Sequence, residues 1–366
     1  MLTKRERQIL KILEENPMIM QKDLATRLQI TRSSVAVHIR NLTQKGYIKG
    51  KGYVLDQNHY ITVIGSSNVD IQGFSHEKVI SSDSNIGKIQ LSMGGVGRNV
   101  TENLMRLGQE TKLISVTGGD HNSHYLLNEC SQMGIDTSHF LVVENKLAST
   151  YMAILDEQRE MVLAVNDMSI MDEMTPEFIR SKSNFIRNGK IVFMDTGLSS
   201  EIIDMVFEEF PESNFFIDAV SVNRAPRIQK HLSKIHTLKC NALEAAFLAD
   251  KPIRTMKDVQ KAADILIEKG VERVFITYGA KGVYRKSASD DLHLGFIKAK
   301  ADNIASVTGA GDAFMAGVIY GTVKGMREDQ IPKFATAVSV LTLESEKTVN
   351  PMISYDRAYE KMRELY

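Results

Sequence analysis

The sequence predicts an α/β body built from βαβ units, preceded by a small, separate helical head. Three observations carry that prediction. Short apolar runs (Lys112–Val116, Thr150–Leu155, Met161–Val165, Ile191–Met194, Phe215–Ile217, Thr237–Cys240 and Arg273–Thr277) read as strands, and many are separated by segments of helical spacing. The length of 366 residues is long for one domain and suggests about two. Charge is divided unevenly: residues 1–56 hold eleven of the 45 Lys/Arg and five of the 45 Asp/Glu, a net of +6, which leaves −6 for the rest. A basic head on an acidic body points to two domains with different partners, residues 1–57 and 58–366.

Composition narrows the class. Apolar content of 43% with 25% charged residues describes an ordinary soluble globular protein. No apolar run approaches the ~18 residues of a membrane span, and Lys4, Arg5, Glu6 and Arg7 open no signal peptide. The two cysteines, Cys130 and Cys240, form neither a disulfide framework nor a metal cluster. A cytoplasmic protein with no membrane partner is expected.

In the head, Ile9, Leu10, Ile12 and Leu13 give a first amphipathic helix that Pro17 ends, and Leu24, Ala25 and Leu28 give a short second one. Thr31 is an N-cap for a third, which buries Val35, Ile39 and Leu42 and ends at Gly46. Its other face presents Arg32, Ser33, Ser34, His38 and Arg40, as the recognition helix of a helix-turn-helix would to a major groove. Tyr47–Val54 alternates around Gly, Lys and Gly like a small wing. A three-helix protein-interaction module is the bland alternative; the basic charge favours DNA.

The body opens with a buried strand, Tyr60–Ile64, running into the polar cluster Ser66-Ser67-Asn68-Val69-Asp70. Open α/β sheets bind ligands beyond the carboxyl ends of their strands. Asn68 and Asp70, two apart on an extended segment, point the same way and suit vicinal hydroxyls. The polar, strand-like pieces of 71–92 fit a flap, and Thr150–Val165 fits its second half, a hairpin turning at Glu157–Glu160 that delivers Asn166 and Asp167.

Met93-Gly94-Gly95-Val96-Gly97-Arg98-Asn99 opens a helix with Val100, Leu104 and Leu107. It lacks the strand and acidic residue of a dinucleotide fingerprint and fits better a close backbone approach to a polyol, with Asn99 as donor and acceptor. Asn241 and Glu244 lie on one helical face after a strand; they read either as oxygen ligands for a water-bearing Mg²⁺ or as a capping box. Thr277-Tyr278-Gly279-Ala280-Lys281-Gly282 is a strand and Gly-bounded loop that a nucleotide can approach, or simply a hairpin.

Thr308-Gly309-Ala310-Gly311-Asp312 leads into the apolar helix of Phe314, Val318 and Ile319. Small residues at a helix N-terminus let unpaired amides reach an anion. Asp312 in that position is either a cap or a general base that deprotonates an attacking hydroxyl.

Taken in order, these motifs resemble the ribokinase (PfkB) family of carbohydrate and nucleoside kinases over the whole body. The resemblance implies a ribokinase-like doubly wound sheet with a small β flap, or lid (pieces about 71–92 and 148–165). It implies Asp312 as base, an anion hole at Gly309, Ala310, Gly311 and Asp312, and sugar contacts from Asp70, Gly94, Gly95 and Asn99. Asn241 and Glu244 would hold Mg²⁺ and its waters, and Thr277, Gly279 and Gly282 would lie along ATP. Within the family, Gly94–Asn99, Val165–Met168 and Val307–Gly309 look most like the pseudouridine kinases. That implies phosphorylation of a C-nucleoside's 5′-hydroxyl, with Asn166 and Asp167 near base or ribose. Ser306 stands where many relatives carry an Asp that helps hold a monovalent cation, so that cation is left open. Relatives also dimerise through the lid. The alternatives are another sugar or nucleoside kinase such as a ribokinase, and a transcription regulator that keeps the kinase body as a ligand sensor.

Overall fold

The computed structural model describes residues 2–48, 60–289, 292, 295–298, 301 and 304–366. In the head, the Thr3 hydroxyl accepts from the Glu6 amide and the Glu6 carboxylate accepts from the Thr3 amide, a reciprocal cap that starts α1 (Lys4–Glu15). Helix α2 (Gln21–Leu28) ends at Gln29, which takes a left-handed φ of 53°, and Thr31 caps α3 (Arg32–Gln44). Ile9, Leu13, Leu24, Val35 and Leu42 are fully buried between the three helices. Each contributes about 2 kcal/mol by leaving water. Lys45 returns to Glu6 at 2.8 Å and ties the end of α3 to the start of α1. Most of the expected wing at Tyr47–Val54 lies outside the described residues.

The body contains strands β1 (Tyr60–Ile64), β2 (Asn68–Ser75), β3 (Gly87–Gly94), β4 (Glu110–Gly118), β5 (Phe140–Val143), β6 (Thr150–Leu155), β7 (Met161–Asp167), β8 (Ile191–Asp195), β9 (Phe215–Asp218), β10 (Thr237–Asn241), β11 (Arg273–Thr277), β12 (Val283–Ser287) and β13 (Phe296–Ile297). Nine of them form the main sheet in the order β13-β12-β11-β10-β9-β8-β1-β4-β5. The run from β11 to β5 is parallel; β12 and β13 pair antiparallel at one edge. Both faces are covered, as a parallel sheet requires. Ile61, Val63, Ile191 and Phe193 pack into one apolar core, while their neighbours Ile64, Val192 and Met194 pack into the other. Cys130 and Cys240 are buried, free thiols in these cores.

Strand β1 pairs with β4 on one side and β8 on the other, so the winding reverses between β1 and β8. A crevice opens beyond the carboxyl ends at such a switch point. The second sheet, β3-β2-β6-β7, leaves the body there as a lid. Its first strand begins at Asn68, earlier than the 71 read from the sequence. Asn68 and Asp70 alternate with buried Val69 and pair with Gly94 and Ser92 of β3, so the polar cluster is itself part of the lid. Three body helices matter below: α4 (Val96–Arg106), α5 (Ala242–Leu248) and α6 (Ala310–Val323).

Candidate active site

Four adjacent strands end in polar residues at the crevice: Asp195 on β8, Asp218 on β9, Asn241 on β10 and Thr277 on β11. Asp195 is fully engaged. Its carboxylate accepts from the amides of Ser66 (2.8 Å), Gly97 (3.0 Å) and Gly197 (2.8 Å) and from the Ser66 hydroxyl. It thereby locks the end of β1 to the first turn of α4. Burial still raises its pKa, with these hydrogen bonds opposing.

Helix α6 begins at Gly309, whose φ of 79° and contact with Thr348 exclude a side chain; a Cβ there would lie 2.0 Å from the Thr348 carbonyl oxygen. Among the described residues, no acceptor meets the amides of Ala310, Gly311 and Asp312. The Asp312 carboxylate sits in that first turn, buried, and accepts from Asn99 Nδ2 at 2.7 Å. Asn99 is held in turn by Arg98, which pairs with Glu102 at 2.7 Å. Burial and the nearby Asp218 charge push Asp312 up to about 7, against Lys239 and Asn99. Such a group changes protonation near neutrality, as a general base should.

Lys239 and Asp218 are functional candidates that the sequence reading missed. Lys239 Nζ lies 2.8 Å from Asp218 Oδ2, and a Cβ on Gly311 would lie 2.7 Å from the same Nζ. The ammonium is therefore pressed against the first turn of α6. A charge inside the apolar run Thr237–Cys240, and acids closing the runs before Asp195 and Asp218, were the available signals. Beside this pair, Glu244 is buried at the start of α5, its pKa raised by burial and by Asp218. Asn241 and Glu244 form a reciprocal capping box with contacts of 2.6–3.0 Å, so the capping reading holds geometrically.

On the lid, Asn68 donates to Asp70 Oδ1, and burial pushes the Asp70 carboxyl up to about 6. Gly94 lies against both; a Cβ would fall 2.5 Å from Asp70 Oδ2. Asp70, Tyr151 and Asn166 are cross-strand partners in one row and share a face. Asp167 alternates to the opposite face, and its carboxylate accepts from the Ser169 amide at 3.0 Å. Only Asn166 of that pair therefore faces the side of Asp70. The other lid face carries Ile89, Leu91, Met152, Ile154, Leu163 and Val165, all exposed.

Thr277 ends β11, and the turn behind it uses positive φ at Gly279 (53°) and Gly282 (101°). A Cβ at Gly279 would meet nothing within 4 Å, which leaves room for a ligand, whereas one at Gly282 would strike the Ile297 carbonyl oxygen at 2.4 Å. Ser306 Oγ accepts from the Thr308 amide at 3.2 Å and so shapes the turn before α6. On α3, Arg32, Ser33 and Arg40 are exposed, but Ser34 and His38 are half-buried. The Ser33 and Ser34 hydroxyls both bond to Thr31, and Val37, 51% exposed, joins the outward face.

A buried carboxylate that titrates near neutrality, set among unengaged helix amides, is equipped to deprotonate a hydroxyl beside an anion. Comparison with known proteins gives the family. The pfkB family carbohydrate kinase pattern matches residues 58–354. The chain belongs to that kinase family. A winged helix-turn-helix DNA-binding pattern matches residues 2–49 of the kinase. The kinase is 35% identical to the uncharacterized sugar kinase YeiI of Escherichia coli over 357 residues, 98% of each chain. It is also 35% identical to the pseudouridine kinase of that organism, covering 81% of this chain and 95% of the relative. A solved structure from Clostridium perfringens, assigned as a sugar kinase, is 32% identical with a TM-score of 0.74 and covers 85% of this chain and 97% of that one. Among the described residues, no helix is long and apolar enough to cross a membrane.

Proposed function

We propose that this kinase transfers the terminal phosphoryl group of Mg-ATP to the 5′-hydroxyl of pseudouridine. The observation that carries the chemistry is Asp312, buried at the mouth of α6 with its pKa pushed up to about 7. The hydroxyl proton passes to the Asp312 carboxylate, the hydroxyl oxygen bonds to phosphorus, and the bond from phosphorus to the ADP oxygen breaks. Amides at 309–312 meet the charge on the moving group, and the helix dipole adds to them. Asp70, with Asn68, accepts from sugar hydroxyls. Gly94 and Gly95 let β3 close onto Asp70 and onto Ser66-Ser67, which sets the sugar-binding cluster beside α4, and Asn99 holds Asp312. Asn166 completes the lid side of the pocket.

ATP would lie along Asn241, Thr277, Gly279 and Gly282. Among the described residues no three acids are gathered as a direct metal cage, but Asp218, Glu244 and Asp312 are buried near one another beside the Lys239 ammonium. That surplus of negative charge suits a cation held through water by Glu244 and Asn241. When bound, the ion would neutralise phosphate charge.

The acceptor is supported by the 35% identity to a pseudouridine kinase over 81% of the chain. ADP release from Mg-ATP should be measured against pseudouridine, uridine, inosine, adenosine, ribose and fructose 6-phosphate. Turnover of pseudouridine well above the rest is expected. Preference for another compound replaces the acceptor but keeps the reaction. The winged helix-turn-helix match favours one second reading, a regulator that uses the body as a sensor. A silent panel in which one compound still raises the melting temperature would select it. The head is proposed to bind DNA through α3, and the apolar lid face to pair two copies of the chain.

A further inference from the structure

We propose that Arg98 is a positioning residue: its guanidinium fixes which end of the Asn99 side chain meets Asp312 and ties that side chain to the end of lid strand β3. This rests on the reading of Asp312 as the base and adds the device that holds it ready. Arg98 is 2% exposed and lies in the first turn of α4. Its Nη1 donates to Glu102 Oε2 at 2.7 Å, while Nη2 donates to the Met93 carbonyl at 3.2 Å and to Asn99 Oδ1. Its own amide donates to the Ser66 carbonyl at 3.0 Å, so the residue is anchored at both ends. Glu102 is clamped from the other side by Arg106, at 2.6 and 2.8 Å.

Chemistry then decides the Asn99 amide. A guanidinium has donors and no acceptor, and an ionised carboxylate has acceptors and no donor. Asn99 stands between the two, so its oxygen must face Arg98 and its nitrogen must face Asp312, where Nδ2 donates at 2.7 Å. Once Asp312 holds a proton it can itself donate, and an unrestrained amide is then free to turn over and present its oxygen. Arg98 prevents that reversal. The amide therefore stays set to favour the carboxylate, the form that accepts a proton. The charges acting on Asp312 come from Asp218 on β9, Lys239 on β10 and Asp195 on β8; Asn99 is the neutral neighbour whose effect depends on its orientation.

The same guanidinium has a second reach. Met93, whose carbonyl it binds, precedes Gly94, the glycine packed against Asp70. The Arg98 charge also favours the ionised Asp70 carboxylate. One buried cation thus spans the lid carboxylate proposed to hold the sugar and the carboxylate proposed to receive its proton. An arginine kept only to fill this space would be a poor filler, because its Nε meets no acceptor among the described residues.

The test uses the full chain without nucleotide or magnesium, its aspartates isotope-labelled at the carboxyl carbon for NMR. The Asp312 signal is identified by its loss in Asp312→Asn. Its titration midpoint is read in the parent, in Arg98→Met, in Asn99→Leu and in the double variant. Arg98→Met leaves Glu102 its pair with Arg106, so no buried charge is stranded. Without the guanidinium, the Asn99 donation that lowers the Asp312 pKa is lost. The midpoint should then rise by roughly half a unit or more, the size of one hydrogen bond. Asn99→Leu should rise likewise, and the double variant no further than Asn99→Leu alone. A parent midpoint in Arg98→Met, or a double variant that adds both rises in full, overturns the proposal. Arg98→Lys covers the case of a Met variant that does not fold. A single ammonium keeps a cation beside Glu102 but cannot hold the separate prongs of the fork, so its midpoint should rise too, and a parent value there also overturns the proposal. None of these titrations needs an acceptor, so a wrong substrate assignment leaves the result intact. A wrong base assignment shows separately, as normal turnover in Asp312→Asn. In turnover, the acid limb of kcat should move to higher pH with the midpoint. A loss equal at every pH, with the limb in place, would make Arg98 merely structural and overturn the proposal.

Discussion

Two helices of the body start alike and end up with different work. Both α4 and α6 begin after a glycine of positive φ, Gly95 at 94° and Gly309 at 79°, and neither has a side-chain cap. By sequence each is a small-residue loop opening a helix. At α4 the protein supplies its own acceptors: Val96 donates to Ser66 Oγ, Gly97 to Asp195 and Arg98 to the Ser66 carbonyl. At α6 the corresponding amides meet no acceptor among the described residues, while a carboxylate and an ammonium crowd the same turn. A glycine-rich helix start is thus an anion site only where the fold leaves the amides unengaged. Where a buried carboxylate answers them, the motif is a joint between strand and helix.

The largest effect that separates the two starts is expected from Asp312→Asn. Loss of the proposed general base should lower kcat by at least ~10²-fold while nucleoside binding is largely kept. In the parent enzyme the carboxyl titrates at about 7, raised by burial and by Asp218. Below that pH it is protonated and cannot take the proton, so kcat should fall as pH drops through 7. The variant should lose that limb. A near-normal rate, or a limb unchanged in the variant, would remove Asp312 from its role.

Glycine substitutions divide the two starts directly. In Gly311→Ala the new methyl meets the flexible end of Lys239 at 2.7 Å, so the ammonium moves and the rate should drop by up to ~10²-fold with little change in melting temperature. In Gly97→Ala the methyl meets the backbone of Gly65 at 2.8 Å, where nothing yields. That variant should lose about 1–3 kcal/mol of stability. Paired melting curves and kcat values would show whether rate and stability segregate in this way.

The same contrast marks what was legible in the sequence. Most of the body strands, the head's three helices and the glycine loops follow from local spacing, because period and caps are short-range properties, but the edge strand Phe140–Val143 was not read. The ends of β8, β9 and β10 were not legible as a group. Asp195, Asp218 and Lys239 lie far apart in the chain and meet only because parallel pairing aligns their strand ends. Asn166 and Asp167 were read as a pair, yet strand alternation sends them to opposite lid faces. The half-burial of Ser34 and His38 likewise depends on how α3 packs, which side-chain type alone does not fix.

A smaller effect is expected on the lid. Asp70→Asn should raise KM for the acceptor by roughly 10-fold and change kcat much less, if the residue accepts from sugar hydroxyls, as proposed, rather than moving a proton. Its pKa is raised to about 6 by burial. As pH falls through 6 the parent should therefore show a second bend in kcat/KM that is missing from kcat, and missing altogether from the variant. Equal losses in kcat and kcat/KM would place Asp70 in the chemistry instead.

The smallest effect concerns a third helix start, and it sharpens the rule. Helix α3 is opened by Thr31, whose hydroxyl accepts from the Ser34 amide at 3.1 Å and also bonds to the Ser33 and Ser34 hydroxyls. This start resembles α4 more than α6: the chain answers its own amides. If the head binds DNA as proposed, phosphates would then be met mainly by the exposed side chains Arg32 and Arg40 rather than by the helix terminus. Each of Arg32→Ala and Arg40→Ala should weaken DNA binding by less than ~10-fold at moderate salt and reduce the slope of log affinity against log salt by about 1. Thr31→Ala should instead cost about 1 kcal/mol of head stability and leave that slope unchanged. Phosphorylation should be the same in all three. If Thr31→Ala changed the salt slope while the arginine variants did not, the start of α3 would be a phosphate site, and engagement of amides within the chain would no longer separate joints from anion sites.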